Sequence, residues 1–584
     1  MMKTSREIVE PYLMKKDWRV KENSSSPYMF GGMVRYMIGE VSKDYWLREV
    51  YPQYITDAYV DAHIHIHDLA GLTIYCCGYS LKDILMKGVR GVGNIPTSTP
   101  AKHFDSALNQ IANLTTIFQN EIMGAVAFND FDTLLAPFIK RDKLDYHEVK
   151  QSMQNFIFSI NSNSRCGAEP AFSNVTFDLT PPADMLREYA IVGGEPVSFT
   201  YGSCQQEMDM LNRAFFETMI EGDGNGKLFA YPIPTYNIHK RFDWDNPNNR
   251  LLWEMAGKYG TPYFANFINS EMDISDVRSM CCRLRLDLKE LRRRNGGLFG
   301  SGDSTGSIGV VSINLPRLAY EANHNQTKFF QDLDKYLDIA KDSLEIKRDW
   351  LQENVINTHL LPAYMEYVGT IDNHFSTIGI VGMNEMCENL LGKNILDDES
   401  HAFCVKVGNH IREKLVEYQE ETGHLYNYEA TPAEGTCYRF ALADKKLYPD
   451  IITQGDGTDV YYTNSCHIPV KLIESIDKTF AHQNDLQTQF TGGTVIHCYL
   501  EGAISGEQAR SIVKSMFEQY SVPYMSLSPI SRYCDTHGYI MEHADNCPYC
   551  HSRLHKYQRV TGYLRDVDNF NPGKAAEFKD RNQL

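Results

Sequence analysis

The sequence predicts a large α/β protein carrying a small Cys/His-rich appendage near its C-terminal end. Three observations lead there. Segments with helical apolar spacing alternate with short apolar runs bounded by Gly or Pro, the pattern of strand–helix units. No internal repeat or low-complexity linker interrupts them, and 584 residues exceed one simple core, so several domains or one large barrel is expected. Near 505–525 the composition shifts, and Cys, His and turn residues become frequent.

In chain order, residues 106–122 (SALNQIANLTTIFQNEI) place Leu108, Ile111, Leu114, Phe118 and Ile122 at helical spacing. The run IGVVSINLP at 308–316 reads as a buried strand stopped by Pro316. Residues 329–346 repeat the helical pattern through Phe330, Leu333, Leu337, Ala340 and Leu344. FSTIGIVGMNEMCENL reads as strand, glycine turn, helix.

Composition removes several functions. A net charge of −18 argues against a protein that coats nucleic acid, which needs clustered Lys and Arg. No apolar run approaches the ~18 residues that span a bilayer, so no membrane association is expected. The opening MMKTSREIVEPYLMKKDW lacks the apolar core of a signal peptide, which makes the cytoplasm the expected location. The 14 cysteines are then expected as thiols serving metal binding or catalysis.

The tail holds CDTHGYIMEHADNCPYC, in which Cys534, His537, Cys547 and Cys550 form a CxxH and a CxxC knuckle. Four such ligands suit one tetrahedral zinc with every position filled, hence a structural role. His543 and His551 are alternatives to His537. Two vicinal pairs, Cys76–Cys77 and Cys281–Cys282, lie upstream, and buried cysteines are commonly just small apolar residues. DAHIHIHDL puts His63, His65 and His67 on one strand face, read as lining a polar pocket with Asp68 holding one tautomer. Finally, YQRVTGYLRD sets Gly562 among bulky neighbours. Either the backbone there needs glycine, or a Cα flanked by two amides stores an unpaired electron. The motif alone does not choose.

Taken together, YQRVTGYL, the Cys/His knot, YCCGYSL, MCCRLRLDL…GGLFGSGDSTGSIGVVSINLPR, ATPAEGTCYRF and FTGGTVIHCYL resemble the anaerobic (class III) ribonucleoside-triphosphate reductases over nearly the whole chain. The resemblance implies a ten-stranded α/β barrel of two antiparallel five-stranded parallel halves, a finger loop, and a C-terminal zinc and glycyl-radical segment. It places the barrel at 1–510 without an N-terminal ATP cone, and the zinc and radical domain at 511–584. Gly562 becomes the radical store, where an added methyl is expected to crowd the site. Cys282 becomes the thiyl site and Cys76 the second thiol, with Asn314 in the same pocket and Glu434 as acid/base. Ser376, Thr377, Gly492 and Gly493, with His65 and His67, are expected at the substrate; Lys102 and Asn113 at a deoxynucleotide effector. The family's fourth zinc ligand is a cysteine, so His537 is a departure. The resemblance also implies a radical-SAM activating enzyme, formate as reductant (a thioredoxin-like protein second) and a homodimer. The alternative is another glycyl-radical enzyme, of formate acetyltransferase or radical dehydratase type.

Overall fold

The structure is a computed structural model describing residues 3–20, 28–90, 96–162, 170–269 and 304–584. Cys281 and Cys282 lie outside the described residues.

Five strands, β1 (Cys76–Tyr79), β2 (Val126–Phe128), β3 (Ser173–Phe177), β4 (Ile233–His239) and β5 (Tyr263–Phe267), pair in that order and run parallel. A second set comprises β6 (Gly306–Asn314), β7 (His374–Val381), β8 (Leu425–Glu429), β9 (Ile496–Leu500) and β10 (Tyr524–Pro529). Within it β6, β7 and β8 are parallel, as are β9 and β10. The sets meet antiparallel at β1–β6 and β5–β10. A parallel bridge from Glu429 to Gly492 joins β8 to the segment entering β9 and closes the ring. This is the barrel the resemblance implied. Nearly every strand residue is buried, because helices cover one face and the lumen the other.

The helices that position the site are α1 (Phe104–Gln119), α2 (Leu315–Ala322), α3 (Gln326–Leu351), α4 (Glu434–Leu447) and α5 (Pro572–Asp580). Leu108, Ile111, Leu114 and Phe118 of α1 enter the main core, whereas buried Ile122 lies beyond the helix end. Pro316 ends no strand by itself. It sits in the first turn of α2, where a missing N–H is harmless, and Asn314 caps that turn.

The expected boundary at 510 moves. The tenth barrel strand is Tyr524–Pro529, so the barrel continues to 529. The appendage begins with a four-stranded antiparallel sheet, β11 (Ser531–Cys534), β12 (Gly538–Ile540), β13 (His555–Arg559) and β14 (Leu564–Asp566), ordered β12–β11–β13–β14. No helix among the described residues is long and apolar enough to cross a membrane.

Candidate active site

Strand alternation decides which cysteine faces the lumen. Cys77 and Tyr79 join the helix-covered core, where Tyr79 stacks on Phe118 of α1 at 3.6 Å. Cys76 therefore points inward. It pairs directly with Ser307 of β6, so their side chains share a face. Ser307 Oγ lies 2.8 Å from Thr377 Oγ1, which donates to Asn427 Oδ1 at 2.6 Å. One polar row thus crosses four neighbouring strands: Cys76, Ser307, Thr377, Asn427.

Register supplies a second row. The short strand Ile64–Ile66 pairs antiparallel with β6, opposing His65 to Ser312; Ser312 opposes Gly379, and Gly379 opposes Glu429. His67 Nε2 is 2.8 Å from Ser312 Oγ, and His65 Nδ1 is 3.2 Å from an Arg439 Nη1. Burial holds His65 well below the usual imidazole range and His67 at about 3, so both are neutral. His63 leaves this face to stack on Tyr336 of α3, with Nε2 at 3.2 Å from Glu321. The imidazoles are thus partnered by Ser312, Arg439 and Glu321 rather than by Asp68.

Several expected residues are placed elsewhere. Ser376 turns outward, where its Oγ accepts from Arg348 of α3 at 3.1 Å. Asn314 is fully buried away from these rows. Its amide donates to Ala62 O (2.8 Å) and Asp444 Oδ2 (2.9 Å) and its oxygen caps Arg317 N–H. The Gly492 N–H donates to Tyr428 O. Gly493 has φ +70°, and a Cβ there would stand 2.4 Å from Ala430 O, so this glycine turn serves barrel closure. Lys102 precedes α1 and is exposed, as is Asn113, ~14 Å along the axis from the helix start. The structure does not bring those two together within one chain. Conversely, Ser307, Asn427 and Glu429 were missed. The signal was present in LYNYE, where inward Leu, Asn and Glu alternate with outward tyrosines.

From β13 the chain enters the turn Val560–Tyr563, closed by Val560 N–H to Tyr563 O at 3.0 Å. Gly562 N–H donates to Glu434 Oε1 at 3.1 Å, and Gly562 O accepts from the Tyr263 hydroxyl. Behind it, Arg581 donates to Arg559 O and Val560 O, while Arg559 reaches Gly260 O and Thr261 O. Lys574 and Arg581 share Glu577. Burial raises the Glu434 pKa, with Lys574 opposing. A small cavity of about 50 Å³ adjoins this turn, lined in part by His467, Tyr499, Thr561 and Lys574.

Gly562 is not among the glycines with positive φ. A Cβ on it would lie 3.5 Å from Pro432 Cβ and 3.8 Å from Glu434 Oε1, ordinary contacts among the described residues. Among the described residues the expected crowding is not seen, and neither the backbone angle nor these contacts require glycine.

In the appendage, Cys534, His537, Cys547 and Cys550 bring their ligand atoms within 4.8 Å of one another. The Cys534–Cys550 Sγ separation is 3.5 Å, and His537 Nδ1 stands 3.6 and 3.5 Å from Cys534 and Cys547. A tetrahedral zinc with ~2.3 Å Zn–S bonds spaces its sulfurs ~3.8 Å apart, so this donor set fits. The Ser552 hydroxyl draws the Cys534 thiol to about 5, favouring the ligating thiolate. His543 instead packs against Gly502 and Glu501.

A closed ten-stranded barrel, with polar rows inside and a clamped glycine turn at a strand end, defines an enzyme that encloses its reaction, of the ribonucleotide-reductase barrel class. The sequence profile of the anaerobic ribonucleoside-triphosphate reductases matches residues 22–583, and the chain belongs to that family. It is 26% identical to the Escherichia coli (strain K12) anaerobic ribonucleoside-triphosphate reductase, over 93% of this chain and 80% of that one. A solved anaerobic ribonucleotide reductase superposes with TM-score 0.80 at 21% identity, covering 98% of this chain and 92% of that one. The Thermotoga maritima enzyme in complex with dATP and CTP gives 0.76 at 20% identity, covering 98% of each. The activity is therefore reduction of ribonucleoside triphosphates, an oxidoreductase reaction, and the acetyltransferase or dehydratase alternative is not favoured.

Proposed function

We propose that this reduction runs by radical chemistry stored on Gly562 and delivered inside the barrel, for deoxyribonucleotide supply in the cytoplasm. The observation that carries the reading is Gly562 itself: held by Glu434 and Tyr263, with neither its backbone angle nor its contacts among the described residues requiring glycine. A radical-SAM activating enzyme removes one Cα hydrogen. The glycyl radical then takes the S–H hydrogen of a thiol, by resemblance Cys282, which regenerates the Gly562 Cα–H bond and leaves a thiyl radical. That thiyl takes the ribose 3′-hydrogen, Cys76 protonates the departing 2′-hydroxyl, and the product regains the hydrogen. With formate as reductant the sum balances: ROH and HCOOH give RH, CO₂ and H₂O. The cavity of about 50 Å³ beside Thr561 has room for a one-carbon acid.

In this reading Glu434 positions the glycine, and Thr377 with His67 lines the substrate bed. A deoxynucleotide effector binds near α1 at a homodimer contact, as suggested by the Thermotoga complex with dATP and CTP. The test is anaerobic activation followed by assay with the four ribonucleoside triphosphates. A glycyl doublet in the electron paramagnetic resonance spectrum and deoxynucleotide formation are expected. A silent spectrum, or a doublet without deoxynucleotide, would sink the reading.

Zinc, when bound by Cys534, His537, Cys547 and Cys550, supplies only structural cross-linking, since all four positions are filled. We place the independent unit at 530–584 and expect Cys547→Ser to lose zinc and block Gly562 activation while the barrel stays folded. Metal analysis with circular dichroism and the radical spectrum checks this. Unfolding of the barrel would refute the division.

A further inference from the structure

We infer that Tyr263 is a positioning residue for the stored radical: its hydroxyl polarises the Gly562 carbonyl, so that the unpaired electron spreads further into the flanking amides. The inference rests on the proposed radical reading.

Tyr263 opens β5, and alternation along the strand decides where it points. Phe264 joins the outer core, stacked on Trp253 with ring centroids 5.3 Å apart. Tyr263 therefore faces the other way, into a separate apolar cluster with Ala265, Phe267, Val495 and Tyr524. It is fully buried, and its hydroxyl donates to Gly562 O. The Arg559 guanidinium stands 3.9 Å from the centroid of the Tyr263 ring, an attractive cation–π contact. Arg559 is itself fixed by bonds to Gly260 O and Thr261 O, just ahead of β5. The start of β5 and the end of β13 are thus tied twice, by a cation on the ring and by the hydroxyl on the carbonyl.

A buried tyrosine hydroxyl usually finds a partner, and packing alone would account for one bond. What singles this bond out is its counterpart across the same Cα. Gly562 N–H donates to Glu434 Oε1 at 3.1 Å. An unpaired electron on Cα sits between an amide nitrogen that can give electron density and a carbonyl that can take it. An acceptor on the N–H makes the nitrogen a better giver. A donor on the oxygen makes the carbonyl a better taker. Each substituent of the radical carbon therefore carries a hydrogen bond of the polarity that favours delocalisation. Each bond also resists rotation of its own peptide unit, and delocalisation needs both units coplanar with Cα.

The two groups come from different halves of the barrel. Tyr263 opens β5 of the first set, whereas Glu434 opens α4, which follows β8 of the second. The bond from Tyr263 should also strengthen on activation, because delocalisation places extra negative charge on the Gly562 oxygen that it touches.

The test compares the activated full-length parent with Tyr263→Phe under anaerobic conditions. Phenylalanine keeps the ring over Arg559 and removes only the hydroxyl. With the hydroxyl gone, more of the spin stays on Cα. The doublet splitting from the remaining Cα hydrogen should widen, and the radical should decay roughly 2–10-fold faster, the worth of one hydrogen bond. In the parent exchanged into deuterium oxide, electron–nuclear double resonance should show a hydroxyl deuteron coupled to the electron, beyond those of the Gly562 and Tyr563 amides. That coupling should vanish in Tyr263→Phe. A tyrosine that only fills space would alter neither splitting nor lifetime, and unchanged values for both in Tyr263→Phe overturn the proposal. Absence of the hydroxyl deuteron from the parent spectrum overturns it as well, even if the variant fails to fold. A parent enzyme without a doublet overturns the radical reading, and this inference with it.

Discussion

Gly562→Ala is expected to yield a protein that folds normally, keeps its Cys/His knot, and forms neither radical nor deoxynucleotide. Stability should not suffer. The φ angle is not in the left-handed region, and the added Cβ meets Pro432 at 3.5 Å. Replacing Gly by Ala where the backbone tolerates it removes unfolded-state freedom and stabilises by ~0.4–1 kcal/mol, so the melting temperature should hold or rise slightly. Activity should fall to background for an electronic reason. A glycyl radical is planar, with its electron spread over both flanking amides. An alanyl radical must bring its methyl into that plane, against the neighbouring carbonyl oxygen, which twists the amides out of conjugation. The Cα–H bond is also more hindered toward any abstracting group. Thermal unfolding, zinc content and the anaerobic radical spectrum measured on one preparation decide it. Residual turnover in Gly562→Ala would refute the storage role. A large loss of stability would restore the conformational explanation.

How much of this was legible in the sequence depended on the kind of signal. The Cys534–His537–Cys547–Cys550 knot was legible because ligand spacing is local. The helices α1 and α3 were legible because each has one dry face. Closure of the barrel was not, since β2 is three residues long and the β8–β9 seam is made by a single bridge at Gly492. The boundary was drawn too early because β10 is an ordinary buried strand just before the cysteine-rich tail. The pair Ser376–Thr377 shows a sharper failure. Adjacent strand residues face opposite ways, and the register shift between Phe375 and Ser376 hides which is which from any period-two count. Thr377 faces the lumen and Ser376 faces Arg348. Asn314 misled for another reason: an asparagine that ends a strand is equally suited to capping the next helix, and here it does so.

The same alternation makes the two adjacent cysteines of β1 a matched pair for mutation. Cys76→Ser should retain the glycyl doublet and the exchange of 3′-tritium, yet lower deoxynucleotide formation roughly 10²–10⁴-fold, the usual worth of a positioned proton donor. Serine fills nearly the same space opposite Ser307, so the row should persist. What it lacks is an acidic S–H and a sulfur able to pass an electron to C2′. The stalled sugar radical then has no clean exit, and free base should appear in place of product. Cys77→Ser should do the reverse. Its side chain belongs to the outer core with Tyr79, and burial pushes its thiol far above the ordinary range, so it has no access to the lumen. A hydroxyl placed there should cost about 1–2 kcal/mol of stability, read as a lower melting temperature, while turnover per folded enzyme stays within a few-fold. Tritium release, free base and deoxynucleotide counted together separate the two. Near-normal turnover in Cys76→Ser, or loss of exchange in Cys77→Ser, would mean that the inward and outward faces of β1 have been exchanged, and the lumen rows built on that assignment would fall with it.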